Sequence, residues 1–317
     1  DALSLVMMAW DIKEGDAVFV PDFTFFASAE VVSFEGATPV FVDVDERTFN
    51  LDPDQLEKAI AVVKQQGKLR PRAVVAVDLF GQPADYERIE AICKEHGLLL
   101  LEDGAQGFGG SIGERRACSF GDAATTSFFP AKPLGCYGDG GAVFTNDDQL
   151  DELLRSLRVH GKSPVSKYDN VRIGVNSRLD TLQAAVLGVK LDAFASYELE
   201  SVNRAAQMYS EYLGEATKTP VVPEGFGSSW AQYTILLKDE AQRQKVQHAL
   251  KEQGIPTMVY YPKPMHLQGA FDQLEQPVAC PVTESLCQRV VSLPMHPYLS
   301  EEDIRFVSNA VKAALEE

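Results

Sequence analysis

The sequence is short of positive charge and of long apolar runs. Its 29 lysines and arginines stand against 46 aspartates and glutamates, which gives a formal net charge of −17. This acidic balance favours solubility and argues against nucleic acid and anionic membranes as main partners. No apolar run approaches the roughly 20 residues that a membrane-spanning helix requires.

Cysteine is scarce, and its spacing carries no metal or redox motif. No CxxC pair occurs, and no cysteine stands at metal-ligand spacing from a histidine, so we expect no metal site. An odd number of scattered cysteines is typical of reduced thiols and predicts a cytoplasmic location. The five are Cys93, Cys118, Cys136, Cys280 and Cys287.

The sequence also lacks an initiating methionine and a basic-then-apolar targeting segment. Residues 1–10 are apolar at almost every position, as in a buried helix that is already under way. We therefore expect that a natural N-terminal segment precedes Asp1.

Strand-like and helix-like segments alternate through the first part of the chain. The strand-like runs are almost continuously apolar, and Asp52 before Pro53 is a typical helix start. This alternation predicts an α/β fold with a mostly parallel sheet covered on both faces. The predicted strands are 17–20, 39–44, 73–78 and 98–103, and the predicted helices are 27–34, 52–63 and 85–96.

The second part of the chain predicts a smaller α+β unit. A long helical stretch is expected from Ser177 to about Gly214, because Leu179, Leu182, Val186, Val189 and Phe194 recur at helical spacing. We predict a large domain over residues 1–198 and a small C-terminal domain over 199–317. The later predicted strands are 230–237, 257–261 and 290–293, and the later helices are 240–253 and 301–315.

Two residues stand where ligand chemistry is expected. Asp103 ends a predicted strand and small residues follow it, so it can face a ligand at the carboxyl edge of the sheet or simply cap a short helix. Lys132 lies between an apolar run and a glycine-rich loop, flanked by Pro130 and Pro133. Such a lysine is either a Schiff-base lysine of lowered pKa or a surface loop residue.

Asp103 and Lys132 together indicate more than either does alone. Pyridoxal phosphate (PLP) requires a lysine for a Schiff base and a carboxylate beside its pyridine nitrogen. It also requires hydroxyl and amide groups for its phosphate, and Ser127 supplies a hydroxyl nearby. The sequence therefore predicts a PLP site.

Nine short segments, in order, resemble the sugar aminotransferases of the DegT/DnrJ/EryC1/StrS family, and the similarity covers essentially the whole chain. The resemblance implies a fold type I PLP-dependent transferase, with a mostly parallel large domain and a smaller C-terminal α+β domain. The segments are PDFTF (21–25), GATPVFVD (36–43), GQPAD (81–85), EDGAQ (102–106), TSFFPAK (126–132), GDGGA (138–142), GVNSR (174–178), YPKPMHLQ (261–268) and LPMHP (293–297).

The resemblance assigns roles around the cofactor ring. Lys132 would hold PLP and move the proton between substrate and cofactor, and Asp103 would pair with the pyridine nitrogen. Gln106 would lie near the ring hydroxyl. Phe25 would stack on the ring, with core packing as the alternative.

The resemblance also assigns phosphate and substrate contacts. Ser127 would bind the phosphate, as would Asp1 and Ala2, which match the end of a family Gly-Thr-Asp turn. Asn176 would reach the phosphate of the neighbouring subunit in a homodimer with shared active sites. Arg178 would bind an acidic group of donor or sugar, or form a structural salt bridge. His266 is a substrate-binding candidate, with a structural role as the alternative.

The implied reaction is transamination from an amino acid, L-glutamate by family habit, to a keto group of a nucleotide-linked sugar in surface polysaccharide or amino-sugar biosynthesis. The segments 126–141 and 174–183 are most similar to the branch that acts on UDP-linked 3-keto uronic acids. Amination at C4 of other nucleotide sugars is an alternative. A PLP-dependent sugar dehydratase would carry histidine in place of Lys132, and a non-catalytic regulator on the same fold is a third hypothesis.

Overall fold

The computed structural model describes residues 1–166 and 168–316, and helices alternate with strands through most of this part of the chain. The helices are α1 (Ala2–Ala9), α2 (Ala27–Phe34), α3 (Pro53–Gln66), α4 (Tyr86–His96), α5 (Asp148–Leu157), α6 (Thr181–Ala193), α7 (Leu199–Leu213), α8 (Glu240–Glu252), α9 (Pro281–Arg289) and α10 (Glu301–Glu316). The strands are β1 (Asp16–Pro21), β2 (Thr38–Val42), β3 (Arg70–Val77), β4 (Leu99–Asp103), β5 (Ser111–Ile112), β6 (Arg115–Arg116), β7 (Ala123–Ser127), β8 (Gly141–Phe144), β9 (Phe226–Gly227), β10 (Tyr233–Leu236) and β11 (Val290–Leu293).

A six-stranded sheet organises the first part of the chain, in the order β2-β1-β3-β4-β7-β8. The strands from β2 to β7 are parallel to their neighbours, whereas β8 runs antiparallel to β7. Alternate residues of β1 enter different apolar cores, Val18 and Val20 on one face and Ala17 and Phe19 on the other. Both faces of the sheet are therefore covered, and the predicted α/β fold is confirmed.

A separate core lies in the C-terminal part, where β10 and β11 form an antiparallel pair against α7, α8 and α10. Tyr209, Tyr233 and Leu250 are completely buried there. The helical run from α6 passes through a π-helical turn, Phe194–Glu198, into α7. It crosses the predicted domain boundary at 198/199 without a break, and the division of the chain into two domains stays a prediction.

Most predicted elements are confirmed, but the strand predicted over 257–261 is wrong. Only Met258 pairs there, in an isolated bridge with Ser292. Proline has no backbone N–H to donate, and Pro256, Pro262 and Pro264 flank the segment, so a longer ladder cannot form. The predicted N-cap is confirmed, because the Asp52 carboxylate accepts from the first-turn amides of α3.

Helix α6 has an unusual distribution of apolar side chains. It begins at Thr181, later than predicted, and Leu187 is buried within it. Leu182 and Val189, two turns apart on the same face, are 80% and 74% exposed. This face of α6 has no cover within the described residues. Among those residues, no helix combines the length and the apolar composition that a membrane crossing requires.

Candidate active site

A large open cavity of about 1670 Å³ lies at the carboxyl ends of the parallel strands. This is the edge of an open sheet where ligands bind, as the sequence predicts. Eleven predicted or newly found polar and aromatic side chains share its wall, and Ala2 lies beside them. They are Asp1, Thr24, Phe25, Ser28, Asp103, Gln106, Ser127, Lys132, Asn176, Arg178 and Tyr261.

Asp103 ends β4 and is almost completely buried, with 3% of its surface exposed. One carboxylate oxygen, Oδ2, accepts from the Ser28 hydroxyl at 2.7 Å, and Oδ1 accepts from the Ala105 amide at 3.2 Å. Burial raises the pKa of Asp103, while the Ser28 and Ala105 bonds and the Lys132 charge oppose that rise. The carboxylate therefore both caps the following turn and faces the cavity.

Lys132 is half-buried in a closed loop between β7 and β8. Its amide donates to the Phe129 carbonyl at 2.9 Å, and a Cβ at Gly135 would lie 2.7 Å from that same oxygen. Glycine at 135 therefore lets the loop close tightly behind the lysine. Burial lowers the pKa of Lys132, and the negative charge of Asp103 acts against this shift. A surface-loop role for Lys132 is excluded, because its side chain lines the cavity.

The first turn of α1 and the end of β7 form a wall suited to a phosphate. Asp1 occupies the N-cap position of α1 without a side-chain capping bond, and Ala2 follows it at the cavity. The unpaired amides at a helix N-terminus attract anions. Ser127, at the end of β7, adds a hydroxyl that accepts from the Phe129 amide at 3.2 Å.

Phe25 and Gln106 lie on the same cavity, close to Tyr261. Phe25 is 55% exposed, so the alternative of core packing is wrong, and its ring centroid lies 6.2 Å from that of Tyr261. Gln106 is buried, accepts from the Phe80 amide at 2.7 Å and donates to the Tyr261 hydroxyl at 3.2 Å. Its side chain is thereby held in one orientation.

Asn176 and Arg178, in the segment before α6, also line the cavity. Both side chains are exposed. Within the described part of the chain, the Arg178 guanidinium forms no ion pair with a carboxylate, so the alternative of a structural salt bridge finds no partner there. The arginine is available to an anionic ligand.

His266 is the one predicted site residue that the structure places outside the cavity wall. Its Nδ1 lies 2.7 Å from Oδ2 of buried Asp22, and its amide donates to Oδ1 of the same carboxylate at 2.8 Å. The predicted substrate contact is therefore replaced by a structural pairing. Cys280 completes a compact group with these two residues, but the histidine already satisfies the carboxylate.

A buried acid pair, Asp78 and Glu102, lies behind Asp103, and both side chains are fully inaccessible to solvent. Asp78 Oδ1 accepts from the Tyr86 hydroxyl at 2.8 Å, and Glu102 accepts from the Phe120 amide at 2.8 Å. Burial and the charge of Glu102 raise the pKa of Asp78 well above its ordinary value. Burial also raises the pKa of Glu102, against a hydrogen bond from Asp78. Asp78 is therefore the protonated partner.

Three polar residues of the site were missed by the sequence analysis: Thr24, Ser28 and Tyr261. Thr24 and Ser28 lie just beyond β1 and at the start of α2, close to the carboxyl edge of the sheet. That position was a usable signal, because polar residues after parallel strands converge at this edge. Tyr261 had no comparable signal, since a strand was predicted to end there.

These groups fit PLP. The cavity offers a lysine whose amine is partly desolvated, a buried carboxylate that could pair with a cationic ring nitrogen, and a helix N-terminus with a neighbouring hydroxyl for a phosphate. Phe25 lies just before α2, and its exposed ring on the cavity wall is free to cover a planar ligand.

Comparison with known proteins gives consistent results. A family model described as the DegT/DnrJ/EryC1/StrS aminotransferase family matches residues 1–312. The chain is 44% identical to the UDP-2-acetamido-2-deoxy-3-oxo-D-glucuronate aminotransferase of Pseudomonas aeruginosa, over 98% of this chain and 83% of that protein. It is 42% identical to a pleiotropic regulatory protein of Geobacillus stearothermophilus, over 97% and 80%. A crystal structure of a DegT DnrJ EryC1 StrS aminotransferase from Brucella abortus superposes with a TM-score of 0.95 at 49% identity, over 98% and 83%.

Proposed function

The chain belongs to the DegT/DnrJ/EryC1/StrS aminotransferase family, and from that premise we propose that it transfers an amino group from L-glutamate to a keto carbon of a nucleotide-linked sugar. As a member of this family it uses PLP. The observation that carries the proposal is that half-buried Lys132 and buried Asp103 line one cavity at the carboxyl edge of the sheet.

When bound, PLP supplies an electron sink and a carrier for the amino group. In the proposed mechanism, Lys132 holds the cofactor and moves a proton at its Nζ atom. Burial lowers its pKa, which increases the fraction of the amine that is neutral, and so able to accept a proton, at neutral pH. Asp103 would pair with the ring nitrogen, and a carboxylate there would favour the protonated nitrogen.

The remaining roles are those that the family resemblance implies for residues on the cavity wall. Gln106, held by Phe80 and Tyr261, would contact the hydroxyl side of the ring, and Phe25 would stack on the ring. Ser127 and the first turn of α1, at Asp1 and Ala2, bind the phosphate. Asn176 contributes to the phosphate site of the neighbouring subunit.

We propose a UDP-linked 3-keto uronic acid as the sugar class. The Pseudomonas aeruginosa relative is named for such a substrate, and Arg178 supplies an exposed cavity cation with no carboxylate partner in the described chain. An arginine fork binds a carboxylate through two hydrogen bonds. The nucleotide-sugar substrate and the amino acid would share the cavity in successive half-reactions.

Arg178→Ala is expected to raise KM for a uronic acid substrate by roughly 10- to 150-fold, because that factor corresponds to the free energy of a hydrogen bond to a charged group. The reverse half-reaction makes the test practical, because UDP-linked 3-amino sugars can be added directly to the PLP-loaded protein. The two substrates to compare are the 3-amino uronic acid and the 3-amino sugar that has an uncharged hydroxymethyl group in place of the carboxylate. Equal effects on both sugars would contradict the assignment of Arg178 to the sugar carboxylate.

We further propose a homodimer whose interface covers the exposed face of α6. Leu182 and Val189 on this helix, and Tyr137 beside it, are exposed apolar side chains of the kind found at interfaces. The Tyr137 amide donates to Gln183 at 2.8 Å, so the lysine loop and α6 form one surface next to the cavity. In a dimer with this interface, each subunit would lie next to the active site of the other.

Leu182→Asp combined with Val189→Asp is expected to convert the dimer into monomers, because a buried interface would gain two unpaired charges. Light scattering after size-exclusion chromatography measures the mass directly. Phe306→Asp is the matched control, since Phe306 is 52% exposed on α10, far from α6 in the chain. A double variant that stays dimeric would place the interface elsewhere.

A regulatory role without turnover is the second candidate function, favoured by the name of the Geobacillus stearothermophilus relative. The presence of both Lys132 and Asp103 on the cavity wall argues against this role. The two functions are distinguished by whether the amino group of L-glutamate is transferred to the bound cofactor. A regulator without turnover would leave glutamate unchanged. We also propose a cytoplasmic location, which the five free, buried cysteines support.

A further inference from the structure

A chain of two hydroxyl groups leads from the start of α2 to Asp103. The Thr24 and Ser28 hydroxyl oxygens lie 3.0 Å apart, and Ser28 Oγ lies 2.7 Å from Asp103 Oδ2. Each of the three side chains is at most 3% exposed. Thr24 lies in the turn between β1 and α2, and Ser28 lies in the first turn of α2.

The direction of this chain is fixed by the number of protons. An ionised carboxylate can only accept, so the single hydroxyl proton of Ser28 must point to Asp103. The serine oxygen is then left to accept the proton of Thr24. Asp103 also accepts from the Ala105 amide through its other oxygen, so one donor on each oxygen fixes the plane of the carboxylate.

Ser28 is the one side-chain hydroxyl that donates to Asp103 among the described residues. Lys132 contributes a favourable charge, but it cannot serve as a permanent counter-charge while it also holds the cofactor. The other titratable groups with an electrostatic effect linked to Asp103 are Cys118 and Tyr261 near the cavity and Tyr86 on the α4 side. The charge of Asp103 raises the pKa of each of these three groups, so they stay neutral and supply no counter-charge.

We infer that Ser28, itself oriented by Thr24, is a positioning residue that holds the Asp103 carboxylate ionised and in the plane required by the cofactor ring nitrogen. The inference rests on the proposed function, since it needs a ring nitrogen in front of Asp103. Burial already raises the pKa of Asp103, and loss of the serine hydroxyl, which opposes this rise, would make the carboxylate protonate at a still higher pH. A protonated Asp103 would no longer attract the cationic ring.

The test compares two cofactors in four proteins. The proteins are the wild type, Ser28→Ala, Ser28→Thr and Ser33→Ala, each depleted of cofactor without an unfolding step. Equilibrium binding of PLP to each protein is measured by absorbance from pH 5 to 9. Ser33 is an exposed serine on the same helix and is the matched control. The second cofactor is the deaza analogue, in which carbon replaces the ring nitrogen.

Ser28→Ala is expected to weaken PLP binding roughly 10- to 100-fold and to move the acid limb of the binding curve to higher pH. Ser28→Thr keeps a hydroxyl and should restore both, and Ser33→Ala should match the wild type. The deaza analogue should bind the wild type and Ser28→Ala equally, because no ring nitrogen faces Asp103.

Two results would overturn the inference while leaving the proposed function in place. One is Ser28→Ala binding PLP with the affinity and pH profile of the wild type. The other is an equal loss for PLP and the deaza analogue, which would mean that Ser28 supports only the local structure. Failure of the wild type to bind PLP would instead remove the proposed function, and the inference with it.

Discussion

Replacing Lys132 with alanine is expected to slow the half-reaction with L-glutamate by roughly 10²- to 10⁴-fold, the usual contribution of a positioned general base. The amine that holds the cofactor and moves the proton would be absent, while Asp103 and the phosphate wall remain. PLP should still bind, but more weakly. Stopped-flow absorbance of the PLP-loaded variant with excess glutamate measures the rate.

Two further variants make this result specific. Lys132→Arg keeps the positive charge in the cavity, but a guanidinium stays protonated and cannot accept a proton, so the same loss is expected. Lys94→Ala removes an exposed lysine of α4 and should leave the rate unchanged. A Lys132→Ala protein that reacts within a few fold of the wild type would show that another group moves the proton.

Asp78→Asn is expected to stabilise the protein progressively as the pH rises. The pKa of Asp78 is raised by burial and by Glu102, so its proton is bound in the folded state and lost in the unfolded state above the ordinary value of 3.8. Stability from such a group is fully present below that ordinary value and is lost as pH rises toward the folded pKa. One such proton corresponds to about 1.4 kcal/mol per pH unit between the unfolded and the folded pKa.

Asparagine can take over the contacts of the protonated acid. Its amide can donate to Glu102, and its oxygen can accept from Tyr86 as Asp78 does. Urea unfolding at four pH values, at fixed protein and cofactor concentration, gives the difference in slope between variant and wild type. Asp148→Asn at an exposed position controls for the loss of one negative charge. Parallel pH dependences for the wild type and Asp78→Asn would mean that the pair shares no proton.

The pair also explains a feature of the active-site turn. A Cβ at Gly107 would lie 2.2 Å from Asp78 Oδ2, so glycine there leaves room for the acid directly beneath the turn that carries Gln106. The buried acid pair thus lies directly beneath this turn. The same strand end thus provides Asp103 to the cavity and Glu102 to the interior, because successive strand residues point to opposite faces.

The sheet and the two central residues of the site could be predicted because their signals are local. Continuous apolar runs identify buried parallel strands, and Asp103 at the end of one and Lys132 in a glycine-rich loop are both visible in short windows of sequence. The cavity brings the two together as predicted. Phe25, Gln106 and Ser127 also reach that cavity.

The misses depend on contacts between distant segments. The position of Ser28 after β1 was a usable signal, but its partner Asp103 lies 75 positions later in the chain, and no local pattern predicts that pairing. His266 pairs with Asp22, which is 244 positions away, and no local pattern predicts that partner. The apolar spacing of α6 predicts its helix but not that Leu182 and Val189 stay exposed in a single subunit.

The most direct test of the central claim is the absorption spectrum of the PLP-loaded protein before and after addition of L-glutamate. The account predicts a yellow cofactor band that bleaches to the near-ultraviolet band of the aminated cofactor, with one equivalent of 2-oxoglutarate released. A cofactor band that is unchanged by glutamate, with no 2-oxoglutarate formed, would contradict the assignment of glutamate-dependent transamination to the Lys132 and Asp103 site.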